Sequence, residues 1–95
     1  MKPIETRRTF VKKFNALLDS GRSTEKPYTY REPLGENWYL SVDFQNETFS
    51  IDHFVGWNEV EAATINFQRD MSNTEKSEII NYLWTMWVTR GVQGE

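Results

Sequence analysis

No cysteine occurs anywhere in the 95 residues. That excludes disulfide scaffolds, thiolate zinc sites and cysteine nucleophiles. No apolar run exceeds three residues, so no segment can span a bilayer as a helix and none resembles a signal peptide. A cytoplasmic protein is the expectation. A Gly-rich phosphate loop, Gly-x-Ser-x-Gly and His-Glu-x-x-His are all missing. There is a single histidine, His53, with no second one at ligand spacing, so no metal site or cofactor is expected. His53 reads as a partly buried structural residue.

Basic residues are missing from one long stretch. Between Glu32 and Gln68 lie seven acids (Glu32, Glu36, Asp43, Glu47, Asp52, Glu59 and Glu61) and no Lys or Arg, a local net charge of −7. Residues 1–13 show the reverse, with Lys2, Arg7, Arg8, Lys12 and Lys13 against Glu5, a net of +4. The overall charge of −3 conceals this segregation and the local field it creates.

What is present is a foldable chain. At 95 residues, 38% hydrophobic and 15% aromatic, it suits one domain over residues 1–95. A chain of this size hides about 65% of its unfolded surface on folding, enough for a core without cross-links.

The pattern predicts a helix over Glu5 to Leu18, because Phe10, Val11, Phe14, Leu17 and Leu18 recur on one stripe. Pro3 suits its entrance and Ser20-Gly21 its end. Residues 20–37, with Gly21, Pro27, Pro33 and Gly35, read as a long connection. Within it Tyr28-Thr29-Tyr30-Arg31 has the alternation of a short edge strand.

Trp38 to Gln45 alternates cleanly, with Trp38, Leu40, Val42 and Phe44 on one face. Thr48 to Val55 does likewise with Phe49, Ile51, His53 and Val55. A two-residue turn at Asn46-Glu47 would pair Phe44 with Phe49, Val42 with Ile51, Leu40 with His53 and Trp38 with Val55. The opposite face, Ser41, Asp43, Gln45, Thr48, Ser50 and Asp52 with Tyr39 and Phe54, is expected to be wet. A turn at Gly56-Trp57-Asn58 leads to a third strand, about Val60 to Gln68. The last helix opens at Ser72, where Ser72 and Glu75 form a capping-box pair, and should stop at Gly91 after Arg90. Its apolar residues cover an arc of about 200°, wide enough for a sandwiched helix or an interface with a second molecule.

The fold class expected is therefore α+β, a three- or four-stranded antiparallel sheet with both helices on its apolar face. In order of elements this resembles a double-stranded-RNA-binding domain. Such modules carry phosphate-gripping lysines at the start of the last helix, where this chain has only Lys76 between two glutamates.

Asp43 and Asp52 could be a paired-carboxylate site, but a flat exposed face would not raise an acid's pKa for general-acid work. An enzyme is not expected. The acidic segment is instead interleaved with aromatic residues, and aromatic anchors ringed by charge are a feature of protein interfaces. Tyr39, Asp43, Asp52, Phe54, Trp57, Glu59 and Glu61 are the candidate partner-binding residues. Size, charge and the lack of a catalytic motif suit an inhibitor of the immunity-protein, antitoxin or phage anti-defence kind, one that occludes a larger, basic, nucleic-acid-handling protein. The alternative is a nucleic-acid-associated module that binds through Arg7, Arg8, Lys12 and Lys13 of the first helix. A homodimer through Trp84 and Val88 is compatible with either.

Overall fold

The computed structural model describes residues 6–20 and 28–93, the side chains of the last four excepted. Helix α1 (Arg7–Ser20) is followed by strands β1 (Thr29–Gly35), β2 (Trp38–Asp43), β3 (Thr48–Val55) and β4 (Asn58–Asn66), then helix α2 (Asn73–Gln93). The strands form one open antiparallel sheet in the order β1-β2-β3-β4. The α+β class is as expected, with a fourth strand that takes it away from the helix, three strands, helix order.

Both helices lie on one sheet face, and the molecule is only 19 Å across its thinnest direction, which suits two layers. The core is Phe10, Phe14 and Leu17 of α1 and Ile79, Ile80, Leu83 and Trp87 of α2 against Leu40, Val42, Phe44, Phe49 and Ile51. Phe14 stacks on Phe49 with ring centroids 4.4 Å apart. The breadth of the apolar arc on α2 has a local cause, since this helix packs on β3, β4 and α1 together. Trp84, taken above as interface material, sets its ring edge-to-face on Phe10 at 5.3 Å.

Helix ends follow side-chain chemistry. Thr6 caps α1, its hydroxyl accepting from the Thr9 amide (3.2 Å) while its own amide donates to the Thr9 hydroxyl (3.0 Å). The expected start at Glu5, with Pro3 and Gly21, lies outside the described residues. At α2 the capping box forms in both directions, Ser72 N–H to Glu75 (2.9 Å) and Glu75 N–H to Ser72 Oγ (3.2 Å). These bonds hold the Glu75 carboxyl below its ordinary range. The helix does not stop at Gly91, because one glycine costs only about 1 kcal/mol in a helix interior.

The strands meander through three hairpins, and the turns correct the expected registers. The short edge strand expected around Tyr28 to Arg31 is present as β1 and is longer, seven residues that cross Pro33 with a register shift before Gly35. Glu36 and Asn37 both take positive φ (55° and 68°), as a two-residue type I′ turn requires. Between β2 and β3 the pairing is two residues away from the expected one: Val42 faces Phe49, Leu40 faces Ile51, and Trp38 faces His53.

Asp43 decides this register. Its carboxylate accepts from the amides of Gln45 (2.9 Å) and Asn46 (3.1 Å) and from the Asn46 side chain (2.8 Å). That favours a four-residue loop closed by Glu47 at φ 55°. A two-residue slip keeps every side chain on its face, so the sorting of faces stands. His53 stacks flat on Trp38 at 4.1 Å, the structural place expected of it beside a different neighbour. The last hairpin turns on Gly56-Trp57 alone, with Gly56 at φ 62°, so β4 starts and ends two residues earlier than expected.

Leu34 of β1 is completely buried in the core. Leu34→Ala is expected to cost about 2–5 kcal/mol in urea denaturation, the range for a core truncation. A loss below about 0.5 kcal/mol would mean that residues 29–35 are a loop.

Candidate functional site

The face of the sheet away from the helices is built by the alternate residues: Thr29, Arg31 and Pro33 on β1, Tyr39, Ser41 and Asp43 on β2, Thr48, Ser50, Asp52 and Phe54 on β3. Glu59 and Glu61 join them because of a bulge. Ile51 faces Ala63 but Asp52 faces Glu61, which leaves Ala62 as an extra residue on β4. Without it the alternation that buries Ala63 would turn Glu59 and Glu61 towards the helices. With it Glu61 lies opposite Asp52 and Glu59 opposite Phe54.

This face is a trough, not a flat surface. Arg31 on one edge strand reaches Glu59 on the other at 3.0 Å. Three inter-strand gaps of about 4.8 Å separate those edges in a flat sheet, about 14 Å in all. Two long side chains reach across the face towards each other, and the bulge on β4 adds to the local twist. The trough has a volume of about 200 Å³, and residues from all four strands line it.

The expectation of a wet face fails at its centre, where Ser41, Ser50 and Asp52 are buried, Asp52 with only 2% of its surface exposed. Asp52 Oδ2 accepts from Ser41 Oγ (2.8 Å) and lies 3.9 Å from Arg31 Nε. Asp52 Oδ1 has no hydrogen-bond donor. Burial raises the Asp52 carboxyl above its ordinary value; the hydroxyls of Ser41 and Ser50 offset part of this, and the neighbouring Glu59 carboxylate pushes it up further. The premise that no acid on this face is buried enough to be perturbed is thus corrected for Asp52.

Of the other candidates, Tyr39 and Phe54 meet edge-to-face at 5.4 Å at one end of the trough, and the Arg31 guanidinium lies 5.3 Å above the Phe54 ring. Glu61 accepts from the Thr64 hydroxyl (2.7 Å). Trp57 is fully exposed at the tip of the β3–β4 hairpin, next to the exposed Val55 and Val60. Asp43 is occupied by the turn it caps. The residue that the sequence reading missed is Arg31. It stands one position before the acidic run, and only the hairpin geometry carries it to Glu59, so the carboxylates are not without a basic neighbour.

The basic residues of α1 are divided. Arg7 donates to the Asn81 side chain of α2 and Lys13 to the Pro33 carbonyl of β1, which leaves Arg8 and Lys12 exposed on the outer side. Val88 is exposed on α2. No cluster of three potential metal ligands occurs among the described residues, and no helix of the described chain is long and apolar enough to cross a membrane. No protein-family model, curated protein or solved structure matches the chain significantly.

The raised Asp52 carboxyl has a consequence for stability. A folded-state pKa above the unfolded value, about 3.9, means that the neutral carboxyl favours the fold. This contribution is complete below about pH 4 and is lost as pH rises through the folded value. Asp52→Asn, which removes the titration, should therefore gain stability over the native chain as urea denaturation moves from pH 4 to pH 8. A difference that is the same at both values would contradict the assignment.

Proposed function

We propose that the chain is a non-enzymatic inhibitor that binds a larger protein with a basic surface and occludes it through the trough face of the sheet. The observation that carries this reading is the convergence on one curved face of Tyr39, Phe54, Asp52, Glu59 and Glu61, beside a fully exposed Trp57. Aromatic groups provide contact area that is lost from water on association, and acidic groups speed encounter with a basic surface. A concave acidic face concentrates its field more than a flat one. The partner that suits it presents a convex basic surface, as a nuclease or another nucleic-acid-handling protein of the same cell does. An immunity protein, an antitoxin or a phage-encoded inhibitor of host defence that acts in the cytoplasm is the kind of protein this reading describes.

Two exposed substitutions test the proposal without touching the core. The native chain and its variants are immobilised and challenged with host-cell lysate at low and high salt. Trp57→Ala should weaken retention of a stoichiometric protein by at least about tenfold, about 1.4 kcal/mol. Glu61→Lys should slow its association and flatten the salt dependence. Retention unchanged in both variants would refute the trough face as the binding surface. Retention of nucleic acid, abolished by Arg8→Glu with Lys12→Glu, would move the function to α1.

A further inference from the structure

We propose that the trough is a receptor for a single guanidinium group, an arginine side chain of the protein partner that enters beside Asp52 between the two edge strands. The inference rests on the partner-binding reading of this face and specifies its central contact.

The floor of the trough is incomplete. Asp52 is almost wholly buried, one carboxylate oxygen is engaged by Ser41, and the other has no donor. Buried polar atoms are as a rule satisfied, and an exception indicates a missing partner. Tyr39 of β2 and Glu61 of β4 lie opposite Asp52, and the other charged groups that line the trough are Arg31 from β1, Asp43 from β2 and Glu59 from β4. One cation among four acids leaves room for another positive charge.

The shape and lining select the kind of cation. At about 200 Å³ the trough is smaller than an ordinary small-molecule pocket, roughly 300–1,000 Å³, and suits the head of one side chain. Its acceptors diverge: Asp52 Oδ1 below, Glu59 and Glu61 at the rim, and the hydroxyls of Ser50, Thr29 and Thr48 along the walls. A planar fork of N–H donors can meet several of these at once, which a compact ammonium cannot, and it is the more weakly hydrated of the two. Arg31 already demonstrates the mode, with its guanidinium against Glu59 and above the Phe54 ring. Arg31 and Glu59 close the trough from its edges, and with about 40% of each side chain exposed they can rotate aside while the backbone stays in place.

Burial and the neighbouring Glu59 carboxylate raise the Asp52 carboxyl. An entering guanidinium favours its ionised form, so the affinity should rise with pH.

The experiment is an NMR titration of the full chain with N-acetylarginine amide at pH 5 and pH 8, with the lysine and citrulline analogues alongside. Saturable shifts are expected at the Ser41, Ser50 and Asp52 amides, with saturation at a lower ligand concentration at pH 8 than at pH 5. The lysine analogue should bind at least threefold more weakly, and the neutral citrulline analogue should not bind. Asp52→Asn should weaken the arginine response at least tenfold. Because that variant replaces a group in the sheet, Glu61→Gln on the rim provides an independent check and should weaken it about threefold. No saturable shift, an equal response to citrulline, or native affinity in both variants overturns the receptor. That result would leave the effects of Trp57→Ala and Glu61→Lys on partner capture to stand or fall separately. An intact arginine response together with capture unaffected by those two substitutions would overturn the protein source of the guanidinium.

Discussion

The parity of β3 is the constraint on which the rest of the molecule depends. Phe49, Ile51 and His53 point to the helices, and Thr48, Ser50, Asp52 and Phe54 to the trough. A strand cannot send neighbours to the same side, so one eight-residue segment fixes which side of the sheet is dry and which carries charge. Its antiparallel partner β2 repeats the division, and the amphipathic α1 and α2 can then cover only the side that carries Leu40, Val42, Phe49 and Ile51. The stack of Phe14 on Phe49 and the pairing of Asp52 with Ser41 are two results of the same alternation.

The trough shows how a charged surface is organised by strands that are distant in the sheet. Arg31 and Glu59 belong to opposite edges, yet they form an ion pair above a carboxylate that neither strand contains. An exposed pair of this kind contributes at most about 1 kcal/mol to stability. Its larger effect is local. It helps to exclude water from Asp52, and burial raises that carboxyl above its ordinary value. The acids of this face are therefore of two kinds, exposed ones at the rim that set the long-range field and one buried at the floor whose state depends on what lies against it.

Much of this was legible in the sequence, and the parts that were not share a cause. The apolar stripes of both helices, the alternation of β2 and β3 and the capping box at Ser72 are local patterns, and each forms as read. The register of β2 on β3 was not legible, because a slip by two residues leaves the alternation intact and the choice falls to the Asp43 side chain in the turn. The bulge at Ala62 escaped for the same reason. A run of Val60, Ala62, Ala63 and Ile65 fits more than one phase, and only the paired strand shows where the phase changes. Among the candidate residues Tyr39, Asp52, Phe54, Glu59 and Glu61 do share a face. Glu59 and Glu61 reach it through the bulge, and Arg31 completes it from an edge strand whose alternation was visible but whose pairing was not.

An open sheet has two unpaired edges, and each is a template on which a further strand could grow. Here the devices that shape the trough also spoil those templates. Pro33 offers no amide hydrogen on β1, and the shift beside it breaks the even spacing that a docking strand would need. On β4 the extra residue at Ala62 does the same, and the carboxylates of Glu59 and Glu61 would repel a second acidic copy. The irregularities at the margins therefore oppose strand addition at both edges of a sheet rich in aromatic residues.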